Sequence, residues 1–407
     1  MYWDYILYYP VIFLKKYTST RIACYNGYIV QAAINNLLPL FYAIIQRDFQ
    51  ITVERLGALT AVNFITQFVV DLLAVRYADR IGWRRCICAS HVLAMAGFVM
   101  LAFLPGIIDP YTAVVLSVIV YASGSAVIEV MVSPIIDALP SSDKGGQMAL
   151  LHSFYCWGQL GVVLLSTLAL SLFGEEIWTV LPLAWALVPA VNFFLFIKVP
   201  LITPERDESE RAGKGRVKRL FSLRIFCLFM LLMLCAGAAE QAMSQWASYF
   251  AESALGMTKL AGDLLGVCMF AFFMGLGRVL FFFVGRRVTC SAAVMFCSAL
   301  CVICYCTAGF SGNAYVSLAA CALTGLSVSL MWPCVFSLAA ERIKDGGTAM
   351  FALLAVCGDI GCAAGPALLG LLAGSFGLKS SLPAIAVFPL FMLCALFIMN
   401  KTEKRRS

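Results

Sequence analysis

Ala78-Asp79-Arg80-Ile81-Gly82-Trp83-Arg84-Arg85 stands between two long apolar stretches, Leu56–Tyr77 and Cys86–Leu104. A short charged turn between apolar runs of this length is the pattern of a chain that leaves a bilayer and re-enters it. The hydrocarbon core needs about 20 apolar residues per helical crossing. Inside it every backbone N–H and C=O must be paired within the segment, so the runs are expected to be helices.

Outward from this turn the pattern continues. Of 407 residues, 62% are hydrophobic and 13% charged, about half the charged fraction of a soluble domain. Ten further stretches are long enough to span: Ile22–Ile45, Tyr111–Leu139, Met148–Leu172, Trp178–Val199, Phe221–Phe250, Leu264–Val284, Ser291–Phe310, Tyr315–Ala340, Thr348–Ser375 and Leu382–Met399. The expectation is an all-α polytopic membrane protein with about 12 transmembrane helices in two pseudo-symmetric six-helix bundles. Residues 1–200 would form the first bundle, 201–220 a linker and 221–407 the second.

The net charge of +7 is spread in short clusters between the runs. These are Lys15, Lys16 and Arg21; Arg76, Arg80, Arg84 and Arg85; Arg206, Arg211, Lys214, Arg216, Lys218 and Arg219; Arg286 and Arg287; Arg342 and Lys344; and Lys401, Lys404, Arg405 and Arg406. If every run crosses, all fall on one side, which places both termini in the cytoplasm of a cell (inner) membrane. Loops on the other side are acidic or nearly uncharged, as at Glu175 and Glu176. The polar stretch Thr203–Arg219 is the expected cytoplasmic linker. Scattered clusters do not make the contiguous basic face that nucleic acid requires. The 17 cysteines lie mostly in apolar runs, and there are two histidines; they are read as small apolar residues, with no metal site and no cofactor. The first apolar stretch lacks a small-residue cleavage site, so no cleaved signal peptide is expected.

The halves repeat. Gly27, Gln31 and Asn35 recur as Gly237, Gln241 and Gln245, an offset of 210 residues. Arg84-Arg85 recurs as Arg286-Arg287, an offset of 202. Gly158-Gln159-Leu160-Gly161 recurs as Gly358-Asp359-Ile360-Gly361, an offset of 200, and Pro134 has its counterpart in Pro333. Such constancy indicates a duplicated six-span unit, an architecture of secondary transporters.

With the duplication in view, the turn 78–85 resembles the signature loop of the major facilitator superfamily. In that family the residue matching Asp79 pairs with the adjoining bundle and steadies one conformation. The resemblance gives Asp79, Arg80, Gly82 and Arg84 a gating role; Asp71, with Gln67 four residues earlier on the same helix face near the cytoplasmic end of its span, is by its position a further candidate for a gate or for a structural bond. Val75 stands where the family prefers Gly, and Trp83 where it prefers a basic residue. A narrower resemblance rests on Gly124-Ser125-Ala126-Val127-Ile128-Glu129 and Pro134, with Leu151-His152-Ser153-Phe154 and Trp157-Gly158-Gln159. These look like the fucose, glucose and galactose permease branch, which carries sugars with protons. It implies that Glu129 contributes to sugar binding and proton coupling. The branch's fucose symporter has a proton-carrying aspartate in span one; here Asn35-Asn36 stands there. Gly361 to Gly365-Pro366 resembles the glycine-proline helix of drug exporters, but in span eleven rather than span five.

The residues carry their own argument. A mid-membrane carboxylate costs several kcal/mol unless it faces water or a partner. Glu129, Glu240 and Asp359 lie well inside apolar runs and are the candidate proton carriers. Each can also be a structural hydrogen bond between helices. Gln31 and Asn35 share one face of span one, and Gln241 and Gln245 one face of span seven. Amides donate and accept, so they suit hydroxyls, and aromatic faces suit the C–H side of a sugar ring. The candidate solute contacts are Gln31, Asn35, Asn36, Glu129, His152, Trp157, Gln159, Gln241, Gln245, Trp246 and Trp332.

The expected function is secondary active transport of a small polar solute, a sugar above all, by alternating access with proton coupling. The partners are that solute and membrane lipid, the chain a monomer. The alternatives are a multidrug or metabolite exporter of the same superfamily and a non-transporting membrane receptor. No phosphate loop or nucleophile–base pair points to an enzyme.

Overall fold

The computed structural model describes residues 17–51, 53–141, 143–202, 213–251, 255–257, 262–285 and 287–404. Lys15, Lys16, Arg206, Arg211, Arg286, Arg405 and Arg406 lie outside the described residues, as does most of the polar linker. Among the described residues every regular element is helical. Eleven helical stretches among the described residues are long and apolar enough to cross a membrane. Their outward faces carry large apolar side chains, among them Phe310 and Leu371, each 75% exposed. That is the surface of a protein whose solvent there is lipid, and the chain is an all-α integral membrane protein.

The expected twelfth span departs from the other eleven. Ile22–Ile45 is not one run: α1 (Thr18–Asn36) ends, a 3₁₀ turn covers Leu38–Phe41, and α2 (Tyr42–Phe49) follows. Pro39 sits in the first turn of the 3₁₀ segment, where its missing N–H costs nothing. Helix α1 falls outside the eleven because Arg21, Asn26, Gln31, Asn35 and Asn36 dilute its apolar residues.

The chain divides into two compact units. Unit 1 is Met1–Ser142, Gly161–Arg216 and Gly347–Ala352; unit 2 is Asp143–Leu160, Val217–Gly346 and Leu353–Ser407. Unit 1 contains α1, α2, α3 (Val53–Ile81), α4 (Trp83–Phe103), α5 (Pro110–Ala138), the second half of α6 (Lys144–Phe173) and α7 (Val180–Lys198). Helix α5 is at its centre and packs against α1, α3 and α4. Asp109 caps α5: its Oδ2 accepts from the Thr112 backbone N–H at 2.9 Å and from Thr112 Oγ1 at 2.7 Å. Those bonds, the backbone one first, hold the Asp109 carboxyl below its ordinary value.

After α8 (Gly213–Ser222), unit 2 contains α9 (Arg224–Tyr249), a wide π-type turn over Gly262–Cys268 and α10 (Met269–Val284). Then come α11 (Cys290–Phe310), α12 (Ala314–Val328), α13 (Met331–Arg342), α14 (Gly347–Phe376, in unit 2 from Leu353), α15 (Leu378–Ile385) and α16 (Val387–Lys404). The expected span Tyr315–Ala340 is therefore two helices with a break at Ser329-Leu330. Pro333 explains it, since a proline cannot donate to the carbonyl four residues back. Helix α14 lies so close to α9 that a Cβ on Gly361 would come within 2.0 Å of the Leu234 carbonyl oxygen, so only glycine fits there.

Candidate functional site

Three helices of unit 1 each carry a polar pair four residues apart, and hence on one face. They are Gln31 and Asn35 on α1, Asn63 and Gln67 on α3, and Ser125 and Glu129 on α5. The fold brings these faces together as a polar seam. Asn63 Nδ2 and Gln67 Nε2 each donate to Asn35 Oδ1 at 3.2 Å. Ser125 Oγ donates to Gln67 Oε1 at 3.4 Å. One turn along, Gln31 Nε2 donates to Glu129 Oε2. A further turn on, the Tyr28 and Ser133 hydroxyls pair at 3.2 Å. Gln31 is 4% exposed and Glu129 8%. Two acceptors of the seam, Gln31 Oε1 and Asn63 Oδ1, are buried without a hydrogen bond among the described residues. Asp71 is buried one helical turn beyond Gln67. Asn36 is not brought into the seam; its Nδ2 donates to the Ala32 carbonyl of its own helix at 2.8 Å.

Unit 2 has a different centre. Arg278 lies within what reads as an apolar run, and it is 2% exposed. Its Nε donates to the Ser329 carbonyl at 2.8 Å. Its Nη1 donates to the His152 carbonyl at 2.8 Å and approaches Cys156 Sγ at 2.9 Å. Its Nη2 faces Glu240 Oε2 at 3.4 Å as a buried ion pair. Ser329 is four residues before Pro333, so its carbonyl is the one the proline leaves without a helical donor. One guanidinium thus ties α6, α9 and the break between α12 and α13 to α10, using the forked donors that only arginine has.

The other sequence candidates are dispersed through unit 2. The His152 ring lies 5.8 Å from Phe336, and Trp332 packs 6.1 Å from the same ring with its buried Nε1 free of a hydrogen bond. Trp157 meets Phe272 edge-on at 6.0 Å, and Gln159 is buried. Gln245 is exposed and donates to Gln241 at 3.3 Å. Trp246 Nε1 donates to the Pro366 carbonyl at 3.2 Å. Asp359 is buried on α14, beside the glycines that press that helix onto α9.

In the turn that began the reading, Gly82 has φ +97°, a conformation that a side chain would strain. Trp83 is buried and its Nε1 donates to Asp79 Oδ1 at 3.3 Å, so the aromatic residue holds the acid from within the turn. Arg84 donates to the carbonyls of Phe196, Ile197 and Val199, the last at 2.8 Å, and closes the C-terminus of α7. Arg80 is exposed.

Gln67 was legible beside Asp71 on one helix face; Arg278 and Asn63 were not singled out as members of polar clusters. Asn63, Gln67 and Asp71 repeat every fourth residue, a readable stripe. Arg278 had no such signal.

Membrane-crossing helices that bury carboxylates among amides in one unit, and against a guanidinium in the other, define a membrane transport protein. The model of the Major Facilitator Superfamily matches residues 25–366, and the chain belongs to that superfamily. It is 23% identical over 388 residues to the membrane protein MosC of Rhizobium meliloti, covering 94% of this chain and 90% of that one. Among solved structures, the superfamily transporter FucP in its outward conformation superposes with a TM-score of 0.79 at 16% identity, covering 94% of this chain and 99% of that chain. The proton:xylose symporter XylE, bound to 6-bromo-6-deoxy-D-glucose, does so with 0.81 at 14% identity, over 95% and 96%. These likenesses establish the fold.

Proposed function

We propose that the chain is a proton-coupled carrier of a small hydroxyl-rich solute such as a sugar, working by alternating access. The observation that carries this reading is the seam of unit 1, where Glu129 of α5 is held by Gln31 beside the amides of α1 and α3. Amides and a carboxylate supply what hydroxyls need, and the carboxylate supplies a group that can take a proton. Symporters of xylose and, in FucP, of fucose share the fold, which supports the choice of solute. Glu240 and Asp359 are the further proton candidates, and the proton gradient is the only driving force invoked. The clusters of positive charge support an orientation with both termini in the cytoplasm of the inner membrane.

The test is solute-driven proton movement in proteoliposomes with a panel that includes L-fucose and D-xylose, for wild type and Glu129→Gln. A pH change on adding a sugar, lost in the variant, is the expected result. A response that survives the substitution moves coupling to Glu240 or Asp359. Silence towards every sugar, with the protein incorporated, sinks the sugar reading.

A further inference from the structure

The Gln31 amide is the most informative group in the seam. Its Nε2 donates to Glu129, and its Oε1 is a buried acceptor with no hydrogen bond among the described residues. A carboxylate only accepts hydrogen bonds, so an ionised Glu129 obliges Gln31 to turn its NH₂ towards it and its oxygen away. A protonated Glu129 has an O–H to give. Gln31 Oε1, turned towards it, is then an acceptor for that proton, and the NH₂ is turned away.

We propose that the Gln31 side chain turns over when Glu129 takes up a proton, presenting the solute with an acceptor while Glu129 is ionised and with a donor once it is protonated. The proposal rests on the reading of Glu129 as a coupling carboxylate. The step is a proton transfer onto a Glu129 oxygen followed by rotation about the terminal Cγ–Cδ bond, a soft torsion that moves no backbone. Asn63 Oδ1, the other unsatisfied acceptor, does not titrate and stays an acceptor throughout. A hydroxyl group, which both donates and accepts, suits Gln31 in both states. An ammonium suits only the ionised state, and a carboxylate or ether oxygen only the protonated one. The amide thereby converts a proton into a change in which solute atoms are recognised.

Other titratable side chains are buried on the helices packed against α5: Cys24 and Tyr28 on α1, Asp71 on α3, and Cys86 and His91 on α4. His91 is committed elsewhere, with its ring nitrogens at the Ile87 carbonyl (2.6 Å) and Asn192 Nδ2 (2.8 Å). None of the described lysines and arginines on α1, α3 and α4 is buried.

Infrared difference spectra of the full chain in lipid, with the glutamine side-chain carbonyls carbon-13 labelled, test this without any solute. Subtracting Gln31→Met isolates the Gln31 band, and Gln31→Leu is a second reference should that variant misfold. The Gln31 carbonyl band is expected to move to lower wavenumber with the same midpoint at which the protonated carboxyl band of Glu129 rises. Glu129→Gln should abolish the movement. A Gln31 band that stays still while Glu129 titrates overturns the inference alone. A Glu129 that never protonates overturns the coupling reading and the inference together. In transport, L-fucose should compete about three- to tenfold better than its O-methyl ethers when Glu129 is ionised, the size of one hydrogen bond, and this preference should shrink on acidification. Gln31→Met should remove the pH dependence of the preference. An unchanged ratio across pH in wild type speaks against the switch.

Discussion

The two units bury charge in opposite ways at corresponding places. Helices α1, α3 and α5 of unit 1 are spans one, two and four of their half; α9, α10 and α12–α13 are the same spans of the other. Unit 1 fills the junction with amides, the hydroxyls of Ser125, Tyr28 and Ser133, and Glu129. Unit 2 fills it with Arg278, Glu240 and two backbone carbonyls. The mirrored prolines follow suit. Pro134 lies inside an α5 that runs on to Ala138, whereas Pro333 accompanies a break whose free carbonyl Arg278 takes. Neutral hydrogen bonds are individually modest and replaceable. A buried guanidinium is neither, because its desolvation must be offset by every partner it has. The expected division is a rigid node in unit 2 and an adaptable seam in unit 1.

The largest effect should therefore come from Arg278→Met. It leaves Glu240 buried without its counter-charge and takes from the Ser329 carbonyl the donor that the Pro333 break denies it, at a cost of about 3–5 kcal/mol. Thermal unfolding of the purified chain would show it. Glu240→Gln should cost less, since Arg278 keeps its carbonyl partners, and Glu129→Gln least, since Gln31 can still bond an amide. The double variant Arg278→Met/Glu240→Met should recover part of the loss. If the single and double variants unfold alike, the carbonyl contacts and not the ion pair hold the node, and the contrast between the units narrows to geometry.

Asn63→Leu comes next. It deletes one of two donors to Asn35 and one open acceptor, so about 0.5–1.5 kcal/mol of stability should go, with a similar factor in solute affinity. Stability lost on the scale of Arg278→Met would mean that the seam is as rigid as the node.

How much of this the sequence carried depends on whether a signal was local. The membrane class and duplication were legible because apolar length and loop charge are local properties. Gln31 with Asn35 was legible because the pair shares a helix face. Asn36 was read with them, but adjacent helical residues point about 100° apart, and only one of the two could join the seam. Asn63 has the same spacing to Gln67 as Gln31 to Asn35, so it was visible in principle. Arg278 was not: a lone cation among phenylalanines looks like noise within an apolar span. Pro333 announces that one carbonyl needs a donor, but only packing decides that α10 supplies it. The break at Leu37–Phe41 was hidden for a related reason, since apolar residues continue through it while the backbone changes helix type.

The smallest effect sharpens the comparison furthest from the site. The central helices of both units start on a side-chain cap: Asp109 for α5, and Asn313 for α12, whose Oδ1 accepts from Tyr315 N–H at 2.9 Å and Val316 N–H at 3.3 Å. Only the first titrates. The folded Asp109 carboxyl lies below its ordinary value, so its contribution is fully present above the unfolded pKa and is lost as pH falls through the lowered one. Amide exchange in the first turn of α5 should therefore speed up on acidification relative to Asp109→Asn, after allowing for the intrinsic pH dependence of exchange. The first turn of α12 should show no such difference. Asp109→Asn keeps the cap and removes its titration, so it should make α5 behave as α12 does, while Asp109→Ala should fray it at every pH. Because Glu129 rides on α5 more than four turns further along, the cap should leave the pH profile of transport untouched. A transport profile that shifted with Asp109→Asn would mean that the seam feels the end of its own helix, and would blur the distinction between an adaptable junction and the scaffold that carries it.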